Sequence, residues 1–227
     1  MAYIEGRTVH DADSHVMELP DKILEYLAPS VIDAFIKNAN KPVTVSQDLQ
    51  KAIALQSDPS FRAEDDAQLM LRKNHLALGA FESKDRPKTL DLLGFTSQLV
   101  FTTTALGNFG LDEKNPILAQ AAAQAHNRMN SDFCSVDPRL LATGYVPLSD
   151  ISAAPRIATE AIELGCRGLV VPSACPAHQS PSHRGLDPLW ALLEEAGLPK
   201  GILQVVNGDK EAVDAILHHD VVQSIGF

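Results

Sequence analysis

Near the N-terminus, Asp11-Ala12-Asp13-Ser14-His15-Val16 sets two carboxylates and an imidazole behind a short apolar-leaning run. On an extended chain alternate side chains share a face, so Asp13 and His15 point the same way. A carboxylate oxygen and an imidazole nitrogen are ligands for zinc or a similar divalent ion, and a catalytic centre adds further ligands and an open position for water. The same pair at a strand end also makes ordinary loop-entry hydrogen bonds, and spacing alone does not separate the two roles. His10 has the opposite parity and is expected to face away from His15.

The elements that must position this pair follow from the hydrophobic pattern. Residues 7–12 read as a short strand that delivers Asp13 and His15 to its C-terminal end. From Leu19 to about Ala80 the pattern changes to helices and loops, broken at Pro20 and Pro29, with Leu24, Leu27, Val31 and Phe35 at helical spacing. This stretch is expected to be an insertion. Within it the turn Ser57-Asp58-Pro59 leads to a predicted helix from Ala63 to Leu78, whose first turn holds Glu64, Asp65 and Asp66, where the helix dipole favours acidic groups.

After Arg86-Pro87 come a helical turn and a strand over Phe95–Thr104, in which Leu99, Val100 and Phe101 are flanked by threonines. Asn115-Pro116 opens an alanine-rich helix that reaches Phe133 and carries His126, Asn127 and Arg128. Asp137-Pro138 ends it, and Leu141–Pro147 is the next strand. A helix over 153–164 capped by Gly165, a buried strand over 167–172, a polar loop over 173–185 and a helix over 187–196 continue the rhythm. A strand over 202–206, a helix over 211–218 and a strand over 221–226 follow. Strand–helix alternation of this kind predicts an α/β fold with a parallel sheet, and a last parallel strand with no covering helix leads us to expect a truncated domain.

With 45% hydrophobic and 21% charged residues, the 227-residue chain has the balance of a soluble globular protein with a sizeable core. Its net charge of -10 argues against nucleic acid as a partner. No run approaches the roughly 18 apolar residues of a membrane span, and Met1–Arg7 lacks a signal-peptide core, so a cytoplasmic protein without membrane contact is expected. A small-molecule substrate is the expected partner, and a homo-oligomer is compatible with the composition. Cys134, Cys166 and Cys175 are odd in number and lack Cys-x-x-Cys spacing, which assigns them to packing.

Other polar groups offer less. His178 and His183, in the loop after the Val170-Val171 strand, are candidates for further ligands or simply solvated loop residues. His218-His219 suits a helix C-terminus. Ser14, Ser173 and Ser182 lack a nucleophile-elbow context, and Asn207-Gly208-Asp209 is a turn and helix cap rather than a phosphate loop.

Several stretches together carry a family resemblance: the strand ending in Asp11–Val16, Ala125-His-Asn-Arg-Met-Asn-Ser-Asp-Phe133, Asp137-Pro-Arg-Leu-Leu, Val146-Pro-Leu, Leu164-Gly-Cys-Arg-Gly-Leu-Val-Val-Pro172 and His183-Arg-Gly-Leu-Asp-Pro-Leu-Trp190. Over about residues 7–199 the chain resembles the amidohydrolase-related proteins, metal-dependent (β/α)8-barrel hydrolases and decarboxylases. In that family the first barrel strand ends in an acid- or His-x-His metal-binding pair, which maps onto Asp13 and His15. Barrel active sites lie at the C-terminal ends of strands, in keeping with that position. The family also supplies a His from the strand after the Ala-Gly-Leu-Pro turn, a second His beyond it and an Asp near the last strand. Here the strand after Pro199 is Lys200-Gly-Ile-Leu-Gln-Val-Val206, without histidine.

Gly197-Leu-Pro-Lys-Gly-Ile-Leu-Gln-Val-Val-Asn-Gly-Asp-Lys-Glu-Ala-Val-Asp-Ala215 is instead similar to the aldehyde dehydrogenases of the CoA-acylating methylmalonate semialdehyde type, over about residues 196–227. The two resemblances meet at Glu194-Glu-Ala-Gly-Leu-Pro199, which suggests a chimera joined across that word. Together they imply a partial, truncated (β/α)8 TIM-type barrel over residues 1–199, with a helical insertion after strand 1, and a foreign βαβ-like segment over 200–227 that is not an independent domain. The implied activity is metal-dependent hydrolysis or nonoxidative decarboxylation of a small carboxylic or aromatic substrate, with zinc or manganese held by Asp13 and His15. The alternatives are a catalytically inert chimeric or truncated protein and a fragment of an NAD-dependent semialdehyde dehydrogenase.

Overall fold

Four strands, β1 (His10–Val16), β2 (Ser97–Thr102), β3 (Leu140–Tyr145) and β4 (Gly168–Val170), pair in parallel in the order β1-β2-β3-β4. This is seen in a computed structural model that describes residues 2–108, 110–172 and 183–195. The fold is therefore α/β with a four-stranded parallel sheet, as the alternating pattern predicts. Cys175, His178, Ser173, Ser182, His218, His219, the Gly197 cap, the Asn207-Gly208-Asp209 turn and the whole of the 200–227 segment lie outside the described residues.

The insertion between β1 and β2 holds α1 (Pro29–Asn38), α2 (Gln47–Gln56), α3 (Pro59–Arg62), α4 (Asp65–Gln68) and several 3₁₀ turns. The helix expected over Ala63–Leu78 is broken. Asn74 adopts a left-handed backbone (φ 52°), and Arg72 folds back to donate to the Phe61 carbonyl at 2.9 Å and to Asp65 Oδ1 at 2.7 Å. Asp65 sits in a first turn, as the dipole argument requires, yet it is buried and ion-paired rather than solvated. A buried carboxylate must be paired to be tolerated, and that pairing overrides helical continuation here.

The crossovers that follow are helical. They comprise α5 (Arg86–Leu93), α6 (Leu111–Lys114), α7 (Pro116–Cys134) and α8 (Ala154–Glu163), with α9 (Asp187–Glu195) after β4. α7 starts where Asn115 accepts from Leu118 N at 3.1 Å with Pro116 in the first turn, as the Asn-Pro signal predicts. It is buried on two sides because the sheet covers one face and the insertion the other. Phe133 and Cys134 pack with Val16, Leu90, Val100 and Ala142, whereas Leu118, Ala122 and Met129 pack with Ile23, Leu27 and Phe35. The alanines let both layers approach closely. Cys134 and Cys166 are buried free thiols, which fits the packing role; burial pushes the Cys134 thiol up to about 12 and the Cys166 thiol up to about 11.

A third cluster joins Val146, Ile157, Ala158, Leu186 and Leu189 across α8 and α9 at the β3 and β4 ends. α8 also approaches β3 closely at Gly144, where an added Cβ would stand 2.8 Å from the Ala161 Cβ and 3.1 Å from Leu169 Cδ2. The Leu169 methyl can swing aside, but the Ala161 Cβ can yield only if α8 moves off β3. Gly144→Ala should therefore destabilise the protein by about 1–3 kcal/mol, read as a lower urea midpoint with an unchanged slope; an unchanged midpoint would show that the α8–β3 contact is loose.

Candidate functional site

The pair singled out in the sequence is brought together. The Asp13 Oδ1–His15 Nε2 distance is 3.4 Å, with the Asp13 side chain 90% and the His15 side chain 36% exposed. Both residues lie within β1, Asp13 at its midpoint, because pairing with β2 runs on through Val16 opposite Thr102 and Met17 N donates to the Ala80 carbonyl at 2.8 Å. The strand therefore runs His10–Val16 where the pattern predicts 7–12.

Asp11, the third acidic or basic group of the motif, is used locally. Its Oδ1 accepts from Asp13 N at 3.0 Å and its Oδ2 from Gln98 Nε2 at 3.1 Å. An Asx contact of this kind competes with ladder pairing, and the β1–β2 register shifts between Asp11 and Ser14. His10 shares a 2.7 Å hydrogen bond with the Ser97 hydroxyl, away from His15.

Neighbouring segments hold His15 from two directions. Its Nδ1 and the Thr103 hydroxyl share a hydrogen bond of 3.2 Å, and its ring lies 5.7 Å from the Phe101 ring, tilted by 31°. Thr103 is itself fixed, since its N–H donates to Glu18 Oε2 at 2.9 Å. From the opposite face of β1, the buried Arg86 donates through Nη2 to Ser14 Oγ at 2.9 Å and to the His15 carbonyl at 2.7 Å, and through Nη1 to the Gly79 carbonyl at 3.2 Å. Burial pulls the Arg86 pKa below its ordinary value. Ser14, with its hydroxyl engaged by Arg86, shows no nucleophile geometry.

The donor chemistry and spacing fit a divalent ion. Two ligands each about 2.1 Å from a tetrahedral zinc ion are about 3.4 Å apart, which is the separation between Asp13 Oδ1 and His15 Nε2. With His15 coordinating through Nε2, the Nδ1–H would donate to Thr103 Oγ1, the orienting outer contact that ligating histidines require. Among the described residues no third His, Cys, Asp or Glu joins the pair in a group able to hold a metal. His183 is engaged otherwise: its Nδ1 accepts from Gly185 N at 3.0 Å and caps the turn before α9.

Four functional-looking residues were not legible as such in the sequence. Asp112 is buried and accepts from Leu148 N at 2.9 Å, from Ser149 N at 3.1 Å and from the Ser149 hydroxyl, tying α6 to the loop after β3. Asn130 donates to the Val100 and Thr143 carbonyls, both at 2.9 Å, and Asn127 exchanges two bonds with Tyr145, so α7 is hydrogen-bonded to two strands. Arg86 is the fourth. The available signal was spacing: Arg86 shares a helix face with Leu90, and Asn127 and Asn130 share one with Ala123 and Cys134.

His126, predicted only to lie on the helix, is buried beneath the ends of β2 and β3 beside Phe101, Thr143 and Tyr145. Its Nε2 lies 3.4 Å from Asn108 Nδ2, and burial pushes its pKa down to about 3. A histidine held neutral in the folded state binds no proton until the pH falls to about 3, whereas the unfolded chain binds one below about 6.5. Stability is therefore expected to fall as pH drops from about 6.5 toward 3, by up to about 1.4 kcal/mol per unit from this residue. The half-buried His75, also lowered by burial, adds to the same slope. Urea melts at several pH values should show a shallower slope for His126→Phe; an unaltered slope would place the imidazole in contact with water.

No protein-family model matches the chain. Curated proteins match it over short stretches only. It is 50% identical over 52 residues to malonate-semialdehyde dehydrogenase of Pseudomonas aeruginosa, which is 23% of this chain and 10% of that protein. It is 53% identical over 39 residues to malonate-semialdehyde dehydrogenase 2 of Bacillus thuringiensis and to malonate-semialdehyde dehydrogenase of Bacillus pumilus, in each case 17% of this chain and 8% of the relative. The chain thus spans a tenth or less of the length of the curated relatives it matches. A semialdehyde dehydrogenase likeness over part of the chain is shown by these matches. No helix of the described residues is long and apolar enough to cross a membrane.

Proposed function

We propose that residues 1–199 are the N-terminal portion of an amidohydrolase-related (β/α)8-type barrel and that Asp13 and His15 are two ligands of its divalent metal site, for zinc or manganese. The observation that carries this reading is the 3.4 Å approach of Asp13 Oδ1 to His15 Nε2 on a strand of a parallel sheet, with His15 Nδ1 anchored to Thr103. The sheet order β1-β2-β3-β4 with helical crossovers is that of one half of such a barrel. Residues 200–227 are assigned to the dehydrogenase-like segment and not to a domain of their own.

A bound divalent ion would supply Lewis acidity and an acidified water for hydrolysis or nonoxidative decarboxylation of a small carboxylic or aromatic substrate. The chain's own part is positional. Asp13 and His15 present an oxygen and a nitrogen at ligand spacing, Thr103 fixes the imidazole plane, and Arg86 fixes the strand backbone beneath it. The remaining ligands and the general base must come from residues other than these.

A second reading has its own observation. The 52-residue stretch of 50% identity to a malonate-semialdehyde dehydrogenase, a tenth of that enzyme, supports a catalytically inert chimera in which a piece of one protein is joined to part of another. NAD-dependent semialdehyde oxidation by so short a stretch has less support than either.

Metal binding separates the two readings. Purified full-length chain titrated with zinc or manganese is expected to take up close to one equivalent, and Asp13→Ala and His15→Ala should each weaken uptake at least about tenfold while leaving the far-ultraviolet circular dichroism unchanged. A folded chain that binds neither ion, or binds both equally well after the substitutions, supports the inert chimera.

A further inference from the structure

Glu18 stands two residues beyond the end of β1 and is only 6% exposed, and a carboxylate so buried must be paired to be tolerated. One of its partners is the turn that leaves β2. The ladder between the two strands ends with Val16 opposite Thr102, and past that point Glu18 makes two cross-links. Its Oε2 accepts from Thr103 N at 2.9 Å, and its carbonyl accepts from the Thr104 hydroxyl at 3.1 Å. The Thr103 hydroxyl in turn shares the 3.2 Å hydrogen bond with His15 Nδ1.

This chain of contacts transmits a constraint. A carboxylate holds a main-chain N–H more strongly than a neutral acceptor does, so the Thr103 backbone is firmly placed. Threonine is β-branched and stiff about its first side-chain bond, so fixing its backbone also fixes its hydroxyl. An apolar residue at position 18 would avoid the cost of burying a charge, but the Thr103 N–H would lose its acceptor just beyond the ladder. The charge of Glu18 is felt on the insertion as well, where it raises the pKa of His75 against the lowering by burial.

We propose that Glu18 is a positioning residue for the His15 imidazole: the buried carboxylate fixes Thr103, and Thr103 fixes the plane of the ring that presents Nε2 beside Asp13. Its consequence for metal binding rests on the reading of His15 as a ligand; the orientation of the ring belongs to the chain without an ion. Outer contacts that orient a ligating histidine typically matter about 10–100-fold in metal affinity, which is the scale expected here.

The test is a double-mutant cycle on the full-length chain, with Glu18→Ala, Thr103→Val and the two together, read by His15 imidazole nitrogen NMR without metal and by zinc titration. Thr103→Val removes the hydroxyl that meets His15 and keeps the N–H that Glu18 accepts. Each single substitution is expected to shift the His15 nitrogen signals and to weaken zinc binding about tenfold, and Glu18→Ala in the Thr103→Val background should add less than about twofold. Glu18→Gln, a near-isosteric change that serves if Glu18→Ala does not unfold cooperatively, should move the His15 signals in the same direction by less, and only while Thr103 keeps its hydroxyl. Unmoved His15 signals in both Glu18 variants, or an equal effect of either in the Thr103→Val background, would overturn the proposal. A parent chain that takes up no zinc contradicts the metal reading of Asp13 and His15, whereas the metal-free spectra still decide the role of Glu18.

Discussion

A buried guanidinium governs the geometry of the N-terminal strand. Arg86 reaches the Ser14 hydroxyl and the His15 carbonyl on β1 and the Gly79 carbonyl at the end of the insertion, and its partners are neutral. A cation out of water is tolerated only where several acceptors converge on it, so those three groups are constrained together. The constraint is tight at Gly79, where φ is +68° and an added Cβ would stand 2.8 Å from the Arg86 Cα. The insertion thus returns to β1 at one fixed point, and Ala80 continues the contact by accepting from Met17 N. With the backbone pinned on one face of β1, the side chains of Asp13 and His15 are left to meet on the other.

The same device recurs through α7. Asn127 and Asn130 bind main-chain groups of β2 and β3, and Asp112 binds the amides after β3, so polar side chains rather than apolar contacts alone fix the register between helix layer and sheet. Such buried polar bonds add little net stability individually but penalise misplacement heavily. They place the C-terminal ends of the strands relative to one another, and that is where His15 and the buried His126 lie.

The order and type of the elements were legible because the strand–helix alternation is strongly periodic and is punctuated by Asn115-Pro116, Asp137-Pro138 and Gly165. The facing of Asp13 and His15 followed from strand parity alone. What could not be read were interactions between distant segments. The 63–78 helix failed because Asp65 and Arg72 close a buried ion pair across its expected length, and β1 extended because β2 and Ala80 supply partners that the local pattern does not contain. Arg86 looked like the opening residue of a helix, and nothing in its neighbourhood announces three acceptors drawn from residues 14, 15 and 79. The semialdehyde dehydrogenase likeness, by contrast, was legible in particular residues, Gly197–Ala215, and malonate-semialdehyde dehydrogenases match a part of the chain.

The claim on which the account stands is that His15 meets a metal through Nε2 while Thr103 holds Nδ1. If His15 held an ion through Nε2, its proton would sit on Nδ1 and the Thr103 hydroxyl, 3.2 Å away, would accept from it, a role that a hydroxyl permits. Imidazole nitrogen NMR of the full-length chain, recorded before and after one equivalent of zinc, reads this directly. The account predicts that His15 converts to the Nδ1–H tautomer with a shifted Nε2 and that the buried His126 is unchanged. A His15 spectrum untouched by zinc, or a response confined to other histidines, would contradict it.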